Sequence, residues 1–356
     1  MVTAPAAGAA ETQFFVSKDG SNSATCGQAS HPCRTIGQAV ANAHDGDRVF
    51  VLPGTYAEMV TVHKRLHLFG ADATIDASHR NNGILLQGPG ASGSEVSFFT
   101  VKNAIGEGIL ASLVDHVKIE FNTVVHNDQG ATTKNTYPEC QPSGQIPGDC
   151  GEGLHIQGTT NSRVAFNDVH DNAGGILITD DVATTHGNEI VFNDVKNNKP
   201  DCGITVPGHV PGLGVFGNKI SFNDVEGNGE GGVLLAAAAP GAGSHDNTIS
   251  FNYIANNGFA GVTLHSHTPN QNINNNVIEH NIIETNNVGG DGDAGVMKTT
   301  GILIFVADPS VTVHGTKIRF NIIEDNHFGI WLTHGHVDTG GIAHNVFSNV
   351  AVDIKN

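Results

Sequence analysis

The sequence predicts an all-β protein that folds as one elongated solenoid. The main observation is a phrase that the chain repeats with small changes: an aliphatic residue, Phe-Asn, an aliphatic residue, Asn and then Gly-Ile. The central asparagine of this phrase recurs at Asn122, Asn167, Asn193, Asn223, Asn252, Asn281, Asn321 and Asn345. In the middle of the series the spacings are 26, 30, 29 and 29 residues. Such a period is typical of stacked structural repeats.

Each repeat is predicted to be a coil of short strands. The apolar runs are short and alternating, and they are rich in Ile, Val and Phe, which favours strand over helix. Asn, Asp and Gly separate the runs, as turns require. Stacked coils would bury one apolar column above another. They would also align the recurring asparagines at one tight turn, where side-chain amides can hydrogen-bond along the stack.

These repeats resemble those of the right-handed parallel β-helix superfamily of pectate-lyase-like proteins. The resemblance covers roughly residues 45–350 and implies a single domain of about ten coils with three strands each. In one coil it places 190–192 in the second strand, Asn193 at the tight turn, 194–195 in the third strand and 203–206 in the first strand. The fold hosts many chemistries, so the resemblance selects no single activity.

The N-terminal segment lacks the repeat and is predicted to cover one end of the solenoid. Ile36, Val40 and Ala43 fall at helical spacing, so a short helix is predicted at 34–43. Without such a cap the first coil would expose its core and its strand edges. The expected organisation is a tail or signal-peptide remnant at 1–13, the β-helix domain at 14–350 and a C-terminal end at 351–356.

Two segments exceed the length of one coil and are predicted to be loop insertions. They lie at 128–151 and 288–300, in each case between the third strand and the following Gly-Ile strand. In the superfamily that the chain resembles, this turn carries loops that wall a substrate groove on the first sheet. Long loops in a compact repeat are usually functional.

Charge and cysteine usage limit the classes of partner and compartment. The formal net charge of −18 argues against nucleic acid or an anionic membrane as a partner, and the chain has no run of eighteen apolar residues. Cys26 with Cys33, and Cys140 with Cys150, are predicted to form local disulfides, which suits a secreted, extracellular or periplasmic protein. Cys202 is left over and is predicted to be a buried free thiol.

Alternation identifies the outward face of the first sheet, where function is expected. This face mixes His, Gln and Thr with Leu, Phe and the single Trp, a composition that suits a ligand groove or an interface. The predicted substrate-binding residues are Gln157, Thr179, Thr205, Phe305 and Trp331.

Titratable side chains border the same face and are candidates for catalysis. Glu107 and Glu152 each precede a Gly-headed strand, on neighbouring coils. Carboxyls one or two coils apart fall within the range that paired acids and bases use in glycoside hydrolysis. The same carboxyls could bind Ca²⁺, so that a base removes the α-proton of a uronate. The catalytic candidates are Glu152, His155, Asp180, Asp181, His265 and Lys298.

A set of histidines and aspartates could instead bind a metal ion. Two His-x-His pairs lie at equivalent strand ends, and such a pair places both rings on one side of an extended chain. A β-helix protein that assists copper-site maturation in nitrous-oxide reductase is similar in repeat style, so copper also stays open. The metal-ligand candidates are Asp180, Asp181, His265, His267, His334 and His336.

Three classes of function are compatible with these observations. The first is a secreted enzyme that cleaves a polysaccharide by hydrolysis or β-elimination. The second is a non-catalytic protein that binds a metal or a glycan. The third is an assembly in which Leu177, Leu234, Leu303 and Phe305 pack against a partner subunit. A groove lined by carboxylates, His and Trp would favour the enzyme, whereas a flat apolar patch would favour oligomerisation.

Overall fold

The computed structural model describes residues 11–127, 151–333 and 337–356. In these ranges the chain winds into stacked coils of parallel strands. This confirms the predicted all-β fold, a parallel β-helix. Along each full coil the chain passes through a first, a second and a third sheet before it returns to the first.

The first sheet has eleven strands, each paired in parallel with the strand of the next coil, in agreement with about ten coils. Its strands are Val60–Val62, Ile84–Gln87, Ile109–Ser112, Glu152–Gln157, Gly174–Thr179, Ile204–Gly208, Val233–Ala237, Val262–Ser266, Thr300–Val306, Phe328–Leu332 and Val352–Lys355.

The second and third sheets are two parallel ladders that share the long strands His67–Asp76 and Glu95–Lys102. The remaining strands of the second sheet are Gln13–Val16, Arg48–Val51, Lys118–Glu120, Arg163–Ala165, Glu189–Val191, Lys219–Ser221, Thr248–Ser250, Val277–Glu279, Lys317–Arg319 and Ile342–Ala343. Those of the third sheet are Gly54–Tyr56, Thr123–Val125, Asp168–His170, Asp194–Lys196, Asp224–Glu226, Tyr253–Ala255, Ile282–Glu284, Ile322–Glu324 and Val346–Ser348. A short additional sheet contains Thr185–His186, Val215–Phe216 and Ser244–His245.

The core fills the interior of the coils. In one coil Ile190 of the second sheet, Val195 of the third and Ile204 of the first are all fully buried. The same three positions are repeated along the stack by other aliphatic side chains. Full burial of each such side chain contributes about 1.5–3 kcal/mol relative to an exposed one. The interior is therefore the main source of stability, and it leaves the outer faces available for function.

The recurring asparagines lie at the corner between the second and third sheets, as the repeat predicts. The side-chain nitrogen of Asn193 donates to the side-chain oxygen of Asn223 at 3.0 Å. The side-chain oxygen of Asn193 accepts from the backbone and side-chain nitrogens of Asn167, at 3.0 Å each. The structure adds a second asparagine ladder at the corner between the third and first sheets, which includes Asn198 and Asn228. These ladders fix the vertical alignment of the coils.

An aromatic column runs along the outside of the same corner. Phe192 precedes Asn193 and has a φ of 59°, in the left-handed region that bulky side chains rarely adopt. Its ring stacks between those of Phe166 and Phe222, with centroid distances of 5.1 and 4.9 Å. The asparagine bonds and the ring stacking together hold this strained turn.

The N-terminal cap is the helix Ile36–Asn42, within the predicted range. Thr35 accepts a hydrogen bond from the Gln38 amide, and the Glu58 carboxylate accepts from the first amides of the helix. These acceptors satisfy donors that a helix N-terminus otherwise leaves unpaired. Two short 3-10 helices occur at Pro89–Ala91 and Thr339–Gly341. In the part of the chain that the structure describes, no helix has the length and apolar character needed to span a bilayer.

The cysteine predictions are confirmed where the structure describes them. Cys26 and Cys33 form a disulfide, and Cys202 is a buried free thiol. Cys140 and Cys150 lie outside the described residues, so their pairing stays a prediction.

We expect Cys202 to react with a thiol reagent only after unfolding. It is 1% exposed, and burial raises the pKa of its thiol well above the ordinary value, which removes the reactive thiolate. A mass-spectrometric time course with iodoacetamide should show slow native labelling and fast labelling in denaturant. Labelling of Cys202 at equal rates in both conditions would contradict this.

Candidate active site on the first sheet

Two glutamates from neighbouring coils meet at the start of the first-sheet strands. The Glu152 backbone amide donates to Glu107 Oε2 at 2.9 Å, and both side chains are buried, at 4% exposure for Glu107 and 2% for Glu152. Gly174 follows in the next coil, where a Cβ atom would lie 3.0 Å from Glu152 Cγ. The glycine therefore leaves room for the Glu152 side chain.

His155 connects this pair to the other edge of the sheet. Its Nδ1 lies 3.1 Å from Glu107 Oε1, and its Nε2 lies 2.9 Å from Thr179 Oγ1. The Thr179 hydroxyl donates to Asp181 Oδ2 at 2.7 Å. Asp181 Oδ1 in turn lies 2.8 Å from His209 Nδ1. A continuous chain of hydrogen bonds therefore links four successive coils on the outer face.

Asp180 and Asp181 are adjacent in sequence but have opposite electrostatic surroundings. Burial raises the pKa of Asp180, and the charge of Asp181 adds to this against two backbone hydrogen bonds. Burial also tends to raise the pKa of Asp181, but the hydrogen bond and charge of His209 outweigh it and hold that pKa well below its ordinary value. Neighbouring carboxyls with pKa values shifted apart are a feature of functional sites.

A second group of predicted residues lies under the insertion at 288–300. His265 Nε2 is 3.0 Å from Asp291 Oδ2, and the rings of His265 and His267 have centroids 5.2 Å apart, as the His-x-His pattern predicts. Phe305 packs beneath the insertion with Val296 and is only 7% exposed. The rings of His265 and Phe305 pack against the ring of His267, which is exposed overall; this partial desolvation and the nearby charge of His265 lower the pKa of His267.

The group of residues around His155 and the group around His265 lie apart on the first sheet. The strands that carry His155 and His265 are separated by three intervening strands of the first sheet. At about 4.8 Å per strand this is a distance of about 19 Å. Lys298 is exposed and its Nζ lies 3.2 Å from His327 Nε2, so it takes no part in the His155 chain. The predicted catalytic set therefore divides into two clusters.

The substrate-binding predictions fall along the same outer face. Gln157 is half-buried and donates to Ser112 Oγ at 3.2 Å, whereas Thr205 is 7% exposed. Trp331 is half-buried against the cluster under the insertion, with its ring centroid 4.4 Å from that of Phe328. Each predicted side chain lies on the expected face, and Gln157 and Trp331 are the accessible ones.

The apolar part of this face is mostly covered within the chain. Leu177 and Leu303 are fully buried and Phe305 nearly so, which leaves Leu234 as the partly exposed member of the four positions considered for a partner subunit. Packing of the insertion explains the burial of Leu303 and Phe305. These positions therefore do not form a broad exposed apolar patch.

His209 is the site residue that sequence reasoning missed. The ladder pairs Leu177 with Thr205, so the same register places His209 beside Asp181 one coil away. Counting positions beyond the end of the Gly-Ile strand would have found it. The sequence analysis counted only the strand positions themselves.

Two groups of side chains in the described ranges have metal-ligand geometry. One consists of Asp180, Asp181 and His209, and the other of Asp201, Cys202 and Glu230. In each group the ligand atoms lie within 4.8 Å of one another. The predicted ligands His334 and His336 lie outside the described residues.

Comparison with known proteins identifies the fold. The family model described as right handed beta helix region matches residues 82–242. Together with the coil architecture this match identifies the fold as a right-handed parallel β-helix. No curated protein matches the sequence.

Solved structures share the fold at low sequence identity. The A-module of the mannuronan C-5 epimerase AlgE4 of Azotobacter vinelandii is 15% identical, with a TM-score of 0.55 and coverage of 87% of this chain and 88% of that one. The pectate lyase Pel9A is 14% identical, with a TM-score of 0.56 and coverage of 94% and 80%. The catalytic domain of a GH87 α-1,3-glucanase is 13% identical, with a TM-score of 0.59 and coverage of 100% and 68%. At these identities the likeness establishes the fold alone.

Proposed function

We propose that this protein is a secreted enzyme that hydrolyses a polysaccharide at the Glu107–Glu152 pair on the first sheet. The observation that carries the proposal is the position of two buried carboxyls on neighbouring coils, one of them held by His155 and by a backbone amide. His155 and the backbone amide of Glu152 fix the orientation of Glu107, so Glu107 is assigned as the base or nucleophile and its neighbour Glu152 as the acid.

The spacing of the strands supports this chemistry. Neighbouring strands lie about 4.8 Å apart, which is close to the about 5 Å between the two carboxyls of a retaining glycosidase. Low exposure strengthens electrostatic interactions at the pair. His155 orients Glu107 and links it through Thr179 to Asp181.

The charge of the site favours a neutral glycan over a uronate. Acidic side chains at the two edges of the first sheet include Glu107, Glu152, Asp180, Asp181, Asp201 and Glu230. Together with the net charge of −18 they repel a polyanion. Of the two bases considered for β-elimination, Lys298 lies in the other cluster beside His327, and His155 is held between Glu107 and Thr179. Hydrolysis is therefore preferred to β-elimination.

The comparisons support a carbohydrate substrate in general terms. The similar structures include an epimerase that acts on mannuronan, a pectate lyase and an α-1,3-glucanase. The Cys26–Cys33 disulfide supports an oxidising compartment, which is extracellular or periplasmic. A polysaccharide substrate is found in the same compartments.

A substrate panel tests the proposal. Alginate, pectate and α-1,3-glucan should be incubated with the protein, with new reducing ends and unsaturated-product absorbance recorded in parallel. We expect reducing ends from a neutral glucan without that absorbance. Unsaturated products from a uronate would instead assign β-elimination, and binding without cleavage would assign a non-catalytic glycan-binding protein.

A further inference from the structure

We propose that Asp180, Asp181 and His209 form a binding site for a divalent transition-metal ion of the Zn²⁺ class. Asp180 and Asp181 follow the strand Gly174–Thr179, and His209 follows the paired strand Ile204–Gly208. One ligand atom from each residue lies within 4.8 Å of the other two. The site is independent of the polysaccharide proposal, because it rests on ligand geometry and burial.

The second observation is that one buried carboxylate oxygen, Asp180 Oδ2, has no hydrogen-bond partner among the described residues, which indicates a ligand. Asp180 is 0% exposed. Its Oδ1 accepts from the His209 and Val210 amides at 2.7 and 3.3 Å, whereas Oδ2 is buried and has no hydrogen-bond partner among the described residues. A buried carboxylate oxygen without a partner is costly. A metal ion at this position would satisfy it.

The surrounding contacts hold the ligands in place. The Asp180 carboxylate is oriented by the two backbone amides, and the Asp181 carboxylate by the Thr179 hydroxyl at 2.7 Å. His209 Nδ1 and Asp181 Oδ1 are 2.8 Å apart, close enough for both atoms to bind the same ion. Partners that orient metal-binding side chains are typical of real metal sites.

The donor set selects the class of metal. Ca²⁺ takes about six to eight oxygen ligands, whereas this site offers two carboxylates and one imidazole. Zn²⁺ accepts nitrogen and oxygen ligands at about 2.0–2.2 Å, and three protein ligands leave its fourth position open. The Ca²⁺ considered for Asp180 and Asp181 from the sequence is thus less well matched, because His209 lies beside them.

Metal binding can be measured without any activity assay. Tag-free protein should be stripped with a chelator, dialysed and titrated with Zn²⁺ by calorimetry, with Ca²⁺ titrated in parallel and bound metal counted by mass spectrometry. We expect one tight equivalent of Zn²⁺, and an affinity at least about 100-fold lower in His209→Ala and in Asp180→Asn. His267→Ala is the matched control, since it removes an exposed histidine from the other cluster and should keep the site.

A spectroscopic measurement on the unmodified protein keeps the test independent of how the variants fold. Co²⁺ in the site should give the visible absorption of a four-coordinate ion with nitrogen and oxygen ligands, and Zn²⁺ should displace it. The proposal is wrong if the stripped protein binds no tight Zn²⁺, if only Ca²⁺ binds, or if folded His209→Ala retains the full equivalent.

Discussion

Replacing Glu152 with glutamine should lower polysaccharide turnover by at least about 100-fold while the melting temperature changes by only a few degrees. The substitution keeps the shape of the side chain and removes its ability to release a proton, and general acid catalysis typically contributes about 10²–10⁴-fold. The Glu152 backbone amide still donates to Glu107 Oε2, so the neighbouring carboxylate keeps this partner. The measurement is kcat on the substrate that the panel identifies, beside a thermal unfolding curve.

Glu324→Gln provides the matched control for this experiment. Glu324 is a half-buried glutamate on the third sheet, away from the first-sheet face. Its replacement should leave kcat unchanged. If Glu152→Gln keeps full activity, or if both variants lose activity equally, the assignment of Glu152 as the acid is wrong.

Replacing Asn193 with alanine should lower the free energy of unfolding by at least about 3 kcal/mol. Its amide nitrogen donates to Val164 O, Val191 O and Asn223 Oδ1, and its side-chain oxygen accepts two hydrogen bonds from Asn167. The substitution leaves several of these buried groups without partners, each at a cost of about 1–3 kcal/mol. Urea unfolding followed by circular dichroism measures the change.

Asn256→Ala is the comparison variant for the ladder. Asn256 is exposed, and its side-chain nitrogen donates a hydrogen bond to Glu226 Oε1 at 3.3 Å. Because its φ is 57°, alanine there should cost about 1 kcal/mol from the left-handed backbone. Equal losses in the two variants would show that the ladder bonds contribute no special stability.

The fold could be predicted because one physical signal was repeated in successive coils from Asn122 to Asn345. The spacing of Asn167, Asn193 and Asn223 located the same corner three times, and the alternating apolar runs between them defined the strands. The second ladder at Asn198 and Asn228 was present in the sequence but was not separated from ordinary turn asparagines. Its identification needed the register of the coils.

The candidate site could be predicted only in part. Alternation correctly placed His155 and Thr179 on one face, and the Gly-Glu-Gly pattern placed Glu107 beside Glu152. The sequence analysis grouped His265 with this site, although the repeat register places it four coils along the stack, with three strands in between. It also missed His209, which approaches Asp181 through the vertical pairing of coils, a contact between residues 28 apart. Contacts along the stack depend on exact coil lengths, which vary here between repeats.

The shared register of the coils also bears on how such a chain can change during evolution. Each strand pairs only with its counterparts above and below, as Asp194 does with Asp168 and Asp224. Duplication or loss of one whole coil would reproduce the same pairings, whereas a single-residue insertion within a strand would turn its side chains to the opposite face. Length variation among descendants should therefore occur in whole repeats or in the loops that enter the first sheet. The insertion at 288–300 packs on the outer face of the first sheet, so the architecture permits new surface contacts to arise there without disturbing the core.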